Sequence, residues 1–308
     1  MKNKVLEYAK VKYGLFIKKI KELHLFYGML FLVAALALFL AFGFSLHDTF
    51  VPSKALKVTF YDVGQGDGIF IESGAKTKIL IDGGSSQKIV TKVGAEVSFF
   101  DKVIDFIAPS HADKDHIAGA IATLDRFPVR TASLLHASTT TELDDEYERR
   151  VMDKVRVRSL SGDTVDIGGD AKLTVLLPKK SEEFSEKETN DSSSVLLLTY
   201  GPFSFLFTGD LPETRERELI QSGLLPRDLT VLKLGHHGSK YSSGKELLSY
   251  AKPKYVIVSA GKGNRYGHPN EETLERVGKV GSIVLRTDEM GDIIFLMKEN
   301  QLTVETEK

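Results

Sequence analysis

From Leu56 onward, short apolar segments alternate with glycine-rich turns, and this pattern restricts the possible folds more than any other feature. Segments of four to six mostly apolar residues predict β-strands, whereas longer segments with apolar residues three or four apart predict helices. The predicted strands are Leu56–Tyr61, Gly68–Glu72, Lys78–Ile81, Asp105–Ala108, Thr164–Ile167, Lys172–Leu177, Val195–Tyr200, Phe203–Thr208, Thr230–Leu234, Lys254–Ser259, Ser282–Arg286, Asp292–Met297 and Leu302–Val304. The predicted helices are Ile117–Phe127, Glu142–Val155, Pro212–Gln221, Ser243–Ala251 and Glu271–Val277. This order predicts a mixed α/β domain with two layers of sheet and helices outside them.

Residues 25–46 form an uncharged segment of 22 residues that is rich in Leu, Phe and Ala. A helix of this length spans about 33 Å, which matches the hydrocarbon core of a bilayer. A buried core helix would carry a polar stripe, and a signal peptide would have a shorter apolar region followed by small residues. The segment has neither feature, so we expect an uncleaved transmembrane helix.

Seven lysines and only two glutamates precede this segment. Because lysine-rich flanks remain on the cytoplasmic side, the N-terminus is expected in the cytoplasm. We therefore expect residues 1–24 to form a cytoplasmic basic segment, and residues 25–46 to cross the cell membrane once. Residues 47–55 are then a linker, and residues 56–305 form a domain outside the cytoplasm.

The strongest cluster of candidate metal ligands is His111-x-Asp113-x-Asp115-His116, between a predicted strand and a predicted helix. The chain contains no cysteine, so any metal must be held by imidazole, carboxylate, carbonyl or amide groups. Charged loops without a metal are common, but two histidines interleaved with two aspartates favour a metal site. Pro109 and Gly119 are predicted to bracket the turn that brings these side chains together.

Three further motifs follow predicted strands. Asp210 ends Thr208-Gly209-Asp210 and could either cap a helix or bridge two ions. His236 and His237 are adjacent, and on an extended backbone they would point in opposite directions, so that only one would bind metal. His268, in Asn264–Pro269, could belong to the site or to a simple turn.

These motifs, with Asp82-Gly83-Gly84 at the end of a predicted strand, together resemble the metallo-β-lactamase superfamily. Four of the segments are similar to the hydrolase domain of the ComEC family of DNA-uptake proteins: Asp62–Asp67, Asn190–Ser193, Gly235–Ser239 and Asn264–Pro269. The similarity covers about residues 56–305. The resemblance implies a four-layer αβ/βα metallo-β-lactamase sandwich, preceded here by one transmembrane helix, with the active site along the sheet edges.

The resemblance also implies two metal sites that share Asp210. Site 1 would contain His111, Asp113, Asp210 and Asn190, and site 2 would contain Asp115, His116, Asp210 and one histidine of the pair, by preference His237. Asp82 would brace the metal-binding loop from outside, with Asp62 and Asp67 as further outer residues.

Two divalent ions, Zn²⁺ or Mn²⁺, are therefore the expected cofactors. Asp113 and Asn190 replace the histidines that the superfamily usually has at site 1. Oxygen ligands favour Mn²⁺ or Mg²⁺ over Zn²⁺ at that site, and they predict weak or partial occupancy.

The expected reaction is metal-assisted hydrolysis of a phosphodiester, with Asp115, His236 and His268 as catalytic residues. DNA is the expected substrate, although the chain after its lysine-rich start is net acidic and nucleic-acid-binding proteins are usually basic. The basic stretch from Arg149 to Arg158 is interpreted as a solvated face. ComEC proteins also carry a many-helix channel domain, which this sequence does not contain, so a separate uptake-channel protein is an expected partner.

Two alternatives remain open at this stage. The enzyme could hydrolyse another ester of the cell envelope, such as phosphorylcholine on a surface polymer. The domain could also be a membrane-tethered binding module with a degenerate site. The persistence of seven candidate ligands favours an enzyme.

Overall fold

The structure is a computed structural model that describes residues 17–19, 23–24, 26–27, 29–37, 55–98, 101–137 and 141–308. The chain divides into two compact units, Met1–Ser53 and Lys54–Lys308. In the first unit, residues 29–37 are helical. Among the described residues of the whole chain, no helix has the length and apolar character needed to cross a bilayer. Much of the predicted transmembrane segment, residues 25, 28 and 38–46, lies outside the described residues, as does most of the predicted linker.

The second unit is built mainly from β-strands. In chain order they are β1 (Leu56–Phe60), β2 (Ile69–Ser73), β3 (Lys78–Ile81), β4 (Ile104–Ala108), β5 (Val129–Ser133), β6 (Val155–Val157), β7 (Thr164–Gly168), β8 (Ala171–Leu177), β9 (Val195–Tyr200), β10 (Phe203–Phe207), β11 (Val231–Lys233), β12 (Tyr255–Val258), β13 (Ile283–Arg286), β14 (Ile293–Lys298) and β15 (Gln301–Thr306). Within the described residues they form an eight-stranded sheet in the order β15-β14-β1-β2-β3-β4-β5-β6 and a seven-stranded sheet in the order β13-β12-β11-β10-β9-β8-β7.

Both sheets mix parallel and antiparallel pairs. In the first sheet, β3, β4, β5 and β6 are parallel neighbours, whereas β1 and β2 pair antiparallel. In the second sheet, β10, β11, β12 and β13 are parallel neighbours, whereas β8, β9 and β10 pair antiparallel. The carboxyl ends of parallel strands meet at one edge of a sheet, so each sheet has an edge at which several loops converge.

Helices cover the outer faces of the two sheets. They are α1 (Lys88–Glu96), α2 (Lys114–Arg126), α3 (Glu142–Val151), α4 (Glu213–Gln221), α5 (Lys245–Ala251), α6 (Glu271–Lys279) and α7 (Thr287–Met290), with a short 3₁₀ turn at Gly235–Gly238. One apolar core lies between the sheets, and Val58, Phe207 and Phe295 belong to it. A second core joins α1, α2 and α3 to the first sheet, and a third joins α4, α5 and α6 to the second sheet. The sequence-based expectation of two sheet layers with helices outside is confirmed.

Strand β9 shows why some predicted strands contain consecutive apolar residues. Leu196 and Leu198 face the core between the sheets, whereas Val195 and Leu197 face the helices on the outer side. A strand that is buried on both faces cannot alternate apolar and polar residues.

Several elements of the structure differ from those predicted from the sequence. No element is predicted for α1, because its β-branched residues disfavour a helix; packing of Ile89 and Val93, four residues apart, nevertheless stabilises one. The predicted helix Glu142–Val155 ends at Val151 in the structure, and Val155 begins β6. Strand β5 is also unpredicted, and it is paired between β4 and β6.

Backbone hydrogen bonds connect the first turns of α2 to the loop after β3. Gly83 N donates to His116 O at 2.8 Å, and Gly119 N donates to Gly84 O at 2.9 Å. A Cβ atom at Gly119 would lie 1.8 Å from Gly83 O. Gly119 therefore does not bracket a turn, as the sequence suggested. It lies within α2 and permits the helix to approach Asp82-Gly83-Gly84.

Replacing Gly119 with alanine is expected to lower the free energy of unfolding by about 1–3 kcal/mol or more, because backbone must move to accept the new methyl group. Gly278→Ala is the matched control, since a Cβ at this helical position has nothing within 4 Å. The control is expected to raise stability by about 0.5–1 kcal/mol. Urea unfolding of the full chain followed by circular dichroism measures both. Equal stability of the two variants would contradict the close approach.

Candidate metal centre

The candidate site lies where the loops after four parallel strands converge. Asp82 follows β3 and His111 follows β4 in the first sheet, whereas Asp210 follows β10 and His237 follows β11 in the second. Backbone hydrogen bonds connect the loops: Ser194 N donates to Ser110 O at 2.9 Å. The two sheets thus place residues that are far apart in sequence at one common edge.

Asp82 organises the part of the site that comes from the first sheet. Its carboxylate is buried and accepts hydrogen bonds from Ser110 N at 2.6 Å and from the Ser110 hydroxyl at 2.9 Å. His116 Nδ1 lies 2.9 Å from Asp82 Oδ2, and His111 Nδ1 lies 2.9 Å from Ser110 Oγ. A carboxylate oxygen only accepts, so His116 carries a proton on Nδ1. The Ser110 hydroxyl gives its one proton to Asp82 and therefore accepts from His111 Nδ1. In the neutral form of both rings the lone pair is on Nε2.

His237 has the same arrangement in the second sheet. Its Nδ1 lies 2.8 Å from the carbonyl oxygen of Ser259, which can only accept, so the lone pair is again on Nε2. That Nε2 faces Asp115 Oδ2 at 3.3 Å and Asp210 Oδ2 at 3.6 Å. Nε2 of all three buried histidines therefore faces Asp210.

The backbone at the histidine pair corrects the sequence-based geometry. His236 and His237 have φ angles of 49° and 54°, in the left-handed region, so this segment is a tight turn and not an extended strand. The two rings are nearly perpendicular, with centroids 5.9 Å apart. His237 is buried, whereas the side chain of His236 is 35% exposed. The buried ring is the one that belongs to the ligand cluster.

Asp210 is the centre of the cluster. Its Oδ1 lies 3.2 Å from His116 Nε2, and its Oδ2 lies 4.0 Å from His111 Nε2. Asp113 Oδ2 lies 3.7 Å from the same His111 nitrogen. Asp210 therefore lies within reach of ligands of both predicted sites: Oδ1 is near His116 of site 2, and Oδ2 is near His111 of site 1 and His237 of site 2. This position is compatible with a residue shared by two ions.

Several donor atoms of this cluster form no hydrogen bonds with one another but could bind a metal ion. Within the described residues, Nε2 of His111, His116 and His237 and Oδ1 of Asp210 are buried without a hydrogen-bond partner, and Oδ1 of Asn190 is also buried and unpartnered. Buried polar atoms are normally satisfied, and four unsatisfied atoms in one cluster indicate a ligand-binding site. Imidazole nitrogens and carboxylate oxygens are the donors that Zn²⁺ and Mn²⁺ accept. The residues present therefore fit divalent ions.

Asp67 lies closer to the cluster than its predicted outer role suggests. One ligand atom from each of Asp67, His116, Asp210 and His237 can be chosen so that all lie within 4.8 Å of one another. Asp67 nevertheless faces the Nδ1 atoms, 3.4 Å from that of His237 and 4.0 Å from that of His116. Its position behind the rings places it with the supporting residues, because metal would approach from the Nε2 side.

Lys233 neutralises Asp67 and was not identified from the sequence. Its side chain is completely buried, forms an ion pair with Asp67 and donates to Gly209 O at 3.3 Å. Lys233 Nζ lies 3.9 Å from Asp210 Oδ1. The alternation of β11 could have indicated it, because a lysine between Leu232 and Leu234 points away from both.

The electrostatic balance of the cluster favours bound cations. Burial lowers the pKa of His237, but the carboxylates of Asp210, Asp115 and Asp67 outweigh burial and raise it to about 9. Burial raises the pKa of Asp210, but His237, His116 and His111 outweigh it and hold that pKa well below its usual value. Ionised carboxylates therefore surround the imidazoles at neutral pH. Because metal must displace protons from these rings, metal affinity should fall as the pH falls.

The remaining predicted residues lie at the open side of the cluster or outside it. Asp115 is 25% exposed. The ring of His268 packs against that of His236, with centroids 5.4 Å apart. Asp62 lies apart from the ligands: its carboxylate accepts from Gly64 N at 3.1 Å, and its own N donates to Asp292. Asp62 shapes the turn before Asp67.

Comparison with known proteins agrees with this geometry. Residues 61–262 match the family described as the metallo-beta-lactamase superfamily. The chain is 31% identical over 262 residues to ComE operon protein 3 of Bacillus subtilis (strain 168), and the match covers 79% of this chain and 33% of that protein. It is 29% identical over 264 residues to Competence protein ComA of Neisseria gonorrhoeae, and the match covers 84% of this chain and 35% of that protein. The resemblance predicted from the motifs is confirmed.

The chain spans about a third of the length of these curated relatives. Among solved structures, CmlA, described as a diiron beta-hydroxylase from Streptomyces venezuelae, aligns with a TM-score of 0.49 and 14% sequence identity. The alignment covers 83% of this chain and 55% of CmlA.

Removing the cation behind the cluster is expected to destabilise the protein strongly. Lys233→Met leaves Asp67 buried without its partner, and breaking a buried ion pair in this way costs about 3–5 kcal/mol. The double variant Lys233→Met/Asp67→Asn removes both charges and should recover most of the loss. Urea unfolding of the full chain in EDTA measures this, with bound metal absent in every sample. A single variant as stable as the unsubstituted chain would show that the pair contributes nothing.

Proposed function

Because the chain belongs to the metallo-β-lactamase superfamily, we propose that it is a metal-dependent phosphodiesterase of the ComEC type. The observation that carries the proposal is the orientation of three buried histidines. His111, His116 and His237 each have Nδ1 engaged by an oxygen atom, so that Nε2 is the atom that a metal would bind once it displaces any proton there, and it faces the ligand carboxylates. A non-catalytic binding module would have no need for this arrangement.

The cluster would hold the two ions in different environments. Site 2, with His116 and His237 beside Asp115 and Asp210, combines imidazole and carboxylate donors. Site 1, with His111, Asp113, Asp210 and Asn190, has one imidazole and is otherwise oxygen-rich. We therefore propose Mn²⁺ or Mg²⁺ at site 1 and Mn²⁺ or Zn²⁺ at site 2. Divalent ions in such pairs supply a water of lowered pKa and neutralise charge on phosphate oxygens.

Asp115 has the position of a proton acceptor at the open side of the cluster. Gln65 Nε2 lies 3.5 Å from Asp115 Oδ2, at the limit of a hydrogen bond, and His237 Nε2 lies 3.3 Å from the same oxygen. Burial raises the pKa of Asp115, but His237 and His116 outweigh it and keep that pKa below its usual range. The side chain is therefore an ionised carboxylate at neutral pH. It can orient an attacking water and accept its proton at Oδ2.

His236 and His268 are placed to contact the phosphate. His236 Nε2 lies 3.5 Å from Asp210 Oδ2, on the exposed side of the cluster. Burial lowers the pKa of both rings, and for His268 the neighbouring histidines contribute, so that its pKa is about 4. Both imidazoles are therefore neutral at pH 7. A neutral ring still carries one N–H, which can donate to a phosphate oxygen or to the departing oxygen.

DNA is the proposed substrate, with the competence relatives as support. The name of one is Competence protein ComA, and the chain matches about a third of that protein. A match over a third of that protein does not assign the activity and partners of the whole protein to this chain. We propose that a separate uptake-channel protein supplies the strand that this domain cuts.

Hydrolysis is expected to require added metal and the central ligands. Purified full chain should cleave bis-p-nitrophenyl phosphate and DNA with Mn²⁺, more slowly with Mg²⁺ or Zn²⁺, and not at all in EDTA. Asp210→Ala and His116→Ala should each lower kcat/KM by about a thousandfold or more, because each removes a ligand of the ions that activate water. Asp153→Ala is the control, since this aspartate is exposed and pairs with Lys154. Activity that survives either ligand substitution would refute the proposal.

We propose that residues 25–46 anchor the chain in the cell membrane with its N-terminus in the cytoplasm. The chain has no cysteine, so single cysteines can be labelled without background. In intact cells, a membrane-impermeant maleimide should label Lys279→Cys, on the exposed end of α6, but not Lys4→Cys. Both should react after the cells are permeabilised. Labelling of Lys4→Cys alone in intact cells would show that the topology is the reverse of the one proposed. If neither cysteine were labelled in intact cells, both ends would lie inside.

A further inference from the structure

A groove beside the metal centre remains unused by the proposed chemistry. It has a volume of about 480 Å³ and is lined by Gln65, Ser85, Lys114, Asp115, Asn264 and Tyr266 together with Arg265. This volume falls in the range of pockets that hold small ligands or parts of larger ones. Asp115 lines the groove and also contacts His237 in the metal centre. Any group bound in the groove therefore lies next to the reacting phosphate.

Flat side chains form a column from the metal centre to the outer end of this groove. The ring of His268 packs against His236, with centroids 5.4 Å apart, and stacks on Tyr266 with centroids 5.9 Å apart and an interplanar angle of 23°. The guanidinium carbon of Arg265 lies 5.0 Å from the centroid of the Tyr266 ring. Tyr266 is 53% exposed, which is unusual for a large aromatic ring beside a buried site.

The loop that carries this column is held in place before any ligand binds. Asn264 Oδ1 accepts from Tyr266 N at 3.1 Å and from His268 N at 3.0 Å. Asn264 Nδ2 donates to Gly261 O at 3.0 Å. The exposure of Tyr266 is thus maintained by the fold, and binding would lose little entropy in ordering the loop.

The charges around the groove select among ligands that could stack on tyrosine. Lys114 and Arg265 line it, and both carry a positive charge that attracts phosphate. Asp115 also lines it, but this carboxylate faces His237 Nε2 at 3.3 Å, and the two cations outnumber it. A quaternary ammonium such as choline also binds aromatic rings, but it would lie beside two cations here. A neutral nucleobase joined to phosphates meets no such repulsion, and bases stack on both aromatic rings and guanidinium planes.

A second groove shares Lys114 with the first and extends the surface available to a long ligand. It has a volume of about 390 Å³ and is lined by Asp113, Lys114, Glu186, Lys187 and Thr189, among others. Asp113 belongs to site 1 and Asp115 to site 2, so the two grooves flank the metal centre. A strand that enters one groove can leave through the other, whereas a small ester would fill only one.

The other basic stretch of the chain offers a poorer surface for phosphates. Arg149 is paired with Glu146, Arg150 with Asp125, and Lys154 with Asp153. Arg156 and Arg158, the other two cations of the stretch, are exposed. These features agree with the expectation of a solvated face. Among the described residues, Lys114 and Arg265 are the cations that line the groove together with Asp115.

We propose that the outer end of the Tyr266 column binds a nucleobase of single-stranded DNA next to the phosphate that is cleaved. The inference rests on the proposed phosphodiesterase function and adds the residues that bind the DNA strand. Lys114 contacts the phosphate on one side of that base. Arg265, whose Nη2 also donates to the Tyr266 hydroxyl at 2.9 Å, contacts the phosphate on the other side. Duplex DNA binds less well, because its bases are stacked on one another and cannot reach Tyr266.

Binding without cleavage tests the proposal. Fluorescence anisotropy would compare full chain carrying Asp210→Asn with and without Tyr266→Ala, in Mn²⁺ buffer. The ligands are a labelled oligothymidylate and an abasic oligonucleotide of equal length. Tyr266→Ala should weaken oligothymidylate binding about tenfold, since one stacked base is lost. Binding of the abasic strand should change by less than twofold, and Tyr266→Phe should bind both like the parent.

Tyr241→Ala is the matched control, because Tyr241 is 69% exposed and lies outside the set of residues that line the groove. Equal effects of Tyr266→Ala on both oligonucleotides, or no effect on either, would overturn the proposal. Displacement of oligothymidylate by free phosphorylcholine would do the same. Since binding is measured without turnover, an inactive enzyme that binds as expected refutes only the phosphodiesterase proposal. An active enzyme without base-dependent binding refutes only this one.

Discussion

The buried carboxylate of Asp82 is the interaction on which the rest of the site depends. It joins the end of β3 to the loop after β4 through Ser110, and it joins both to α2 through His116. Hydrogen bonds to a charged group contribute about 1.5–3 kcal/mol each, and here they also select the tautomers of two histidines. The close packing of Gly119 on Gly83 brings α2 within reach of this carboxylate. Ligand geometry at this centre is therefore a consequence of how a helix packs on a strand end.

The second constraint is the amount of negative charge that the fold buries. Asp67 and Asp210 are almost fully buried and close together, which would be prohibitive without compensating cations. Lys233 forms an ion pair with Asp67 from the core of the second sheet, on the side of the rings away from Nε2. Asp210 and Asp115 lie on the Nε2 side and could be neutralised by bound metal ions.

The surroundings of the centre extend this division to the substrate. On the exposed side, neutral His236 and His268 lead from Asp210 to Tyr266, and Lys114 lies between two grooves. The chain after residue 24 is net acidic, but two cations, Lys114 and Arg265, line the groove beside the centre. Overall charge is therefore a poor guide to the charge at one site, because a bound group responds mainly to side chains within a few ångströms.

The sequence by itself determined the two layers of sheet, the covering helices and the family. Strand segments such as Val195–Tyr200 are apolar on both faces, and the loops after strands carry His111, Asp210 and His237 in an order specific to the superfamily. It also indicated that Asp82 supports the site from outside. These features are local or are shared by relatives, and so a single chain displays them.

Only the tertiary structure decided which atoms face one another. The histidine pair was expected on an extended backbone, but both residues have positive φ, and burial distinguishes His237 from His236. Lys233 looks like one more residue of an apolar strand until β10 and β11 bring it beside Asp67. Tyr266 looks like part of a turn until its ring stacks on His268. The burial of His237 and the pairing of Lys233 with Asp67 depend on contacts between segments distant in sequence, whereas the stacking of Tyr266 on His268 depends on the conformation of one loop. Hydrophobic periodicity carries no information about either.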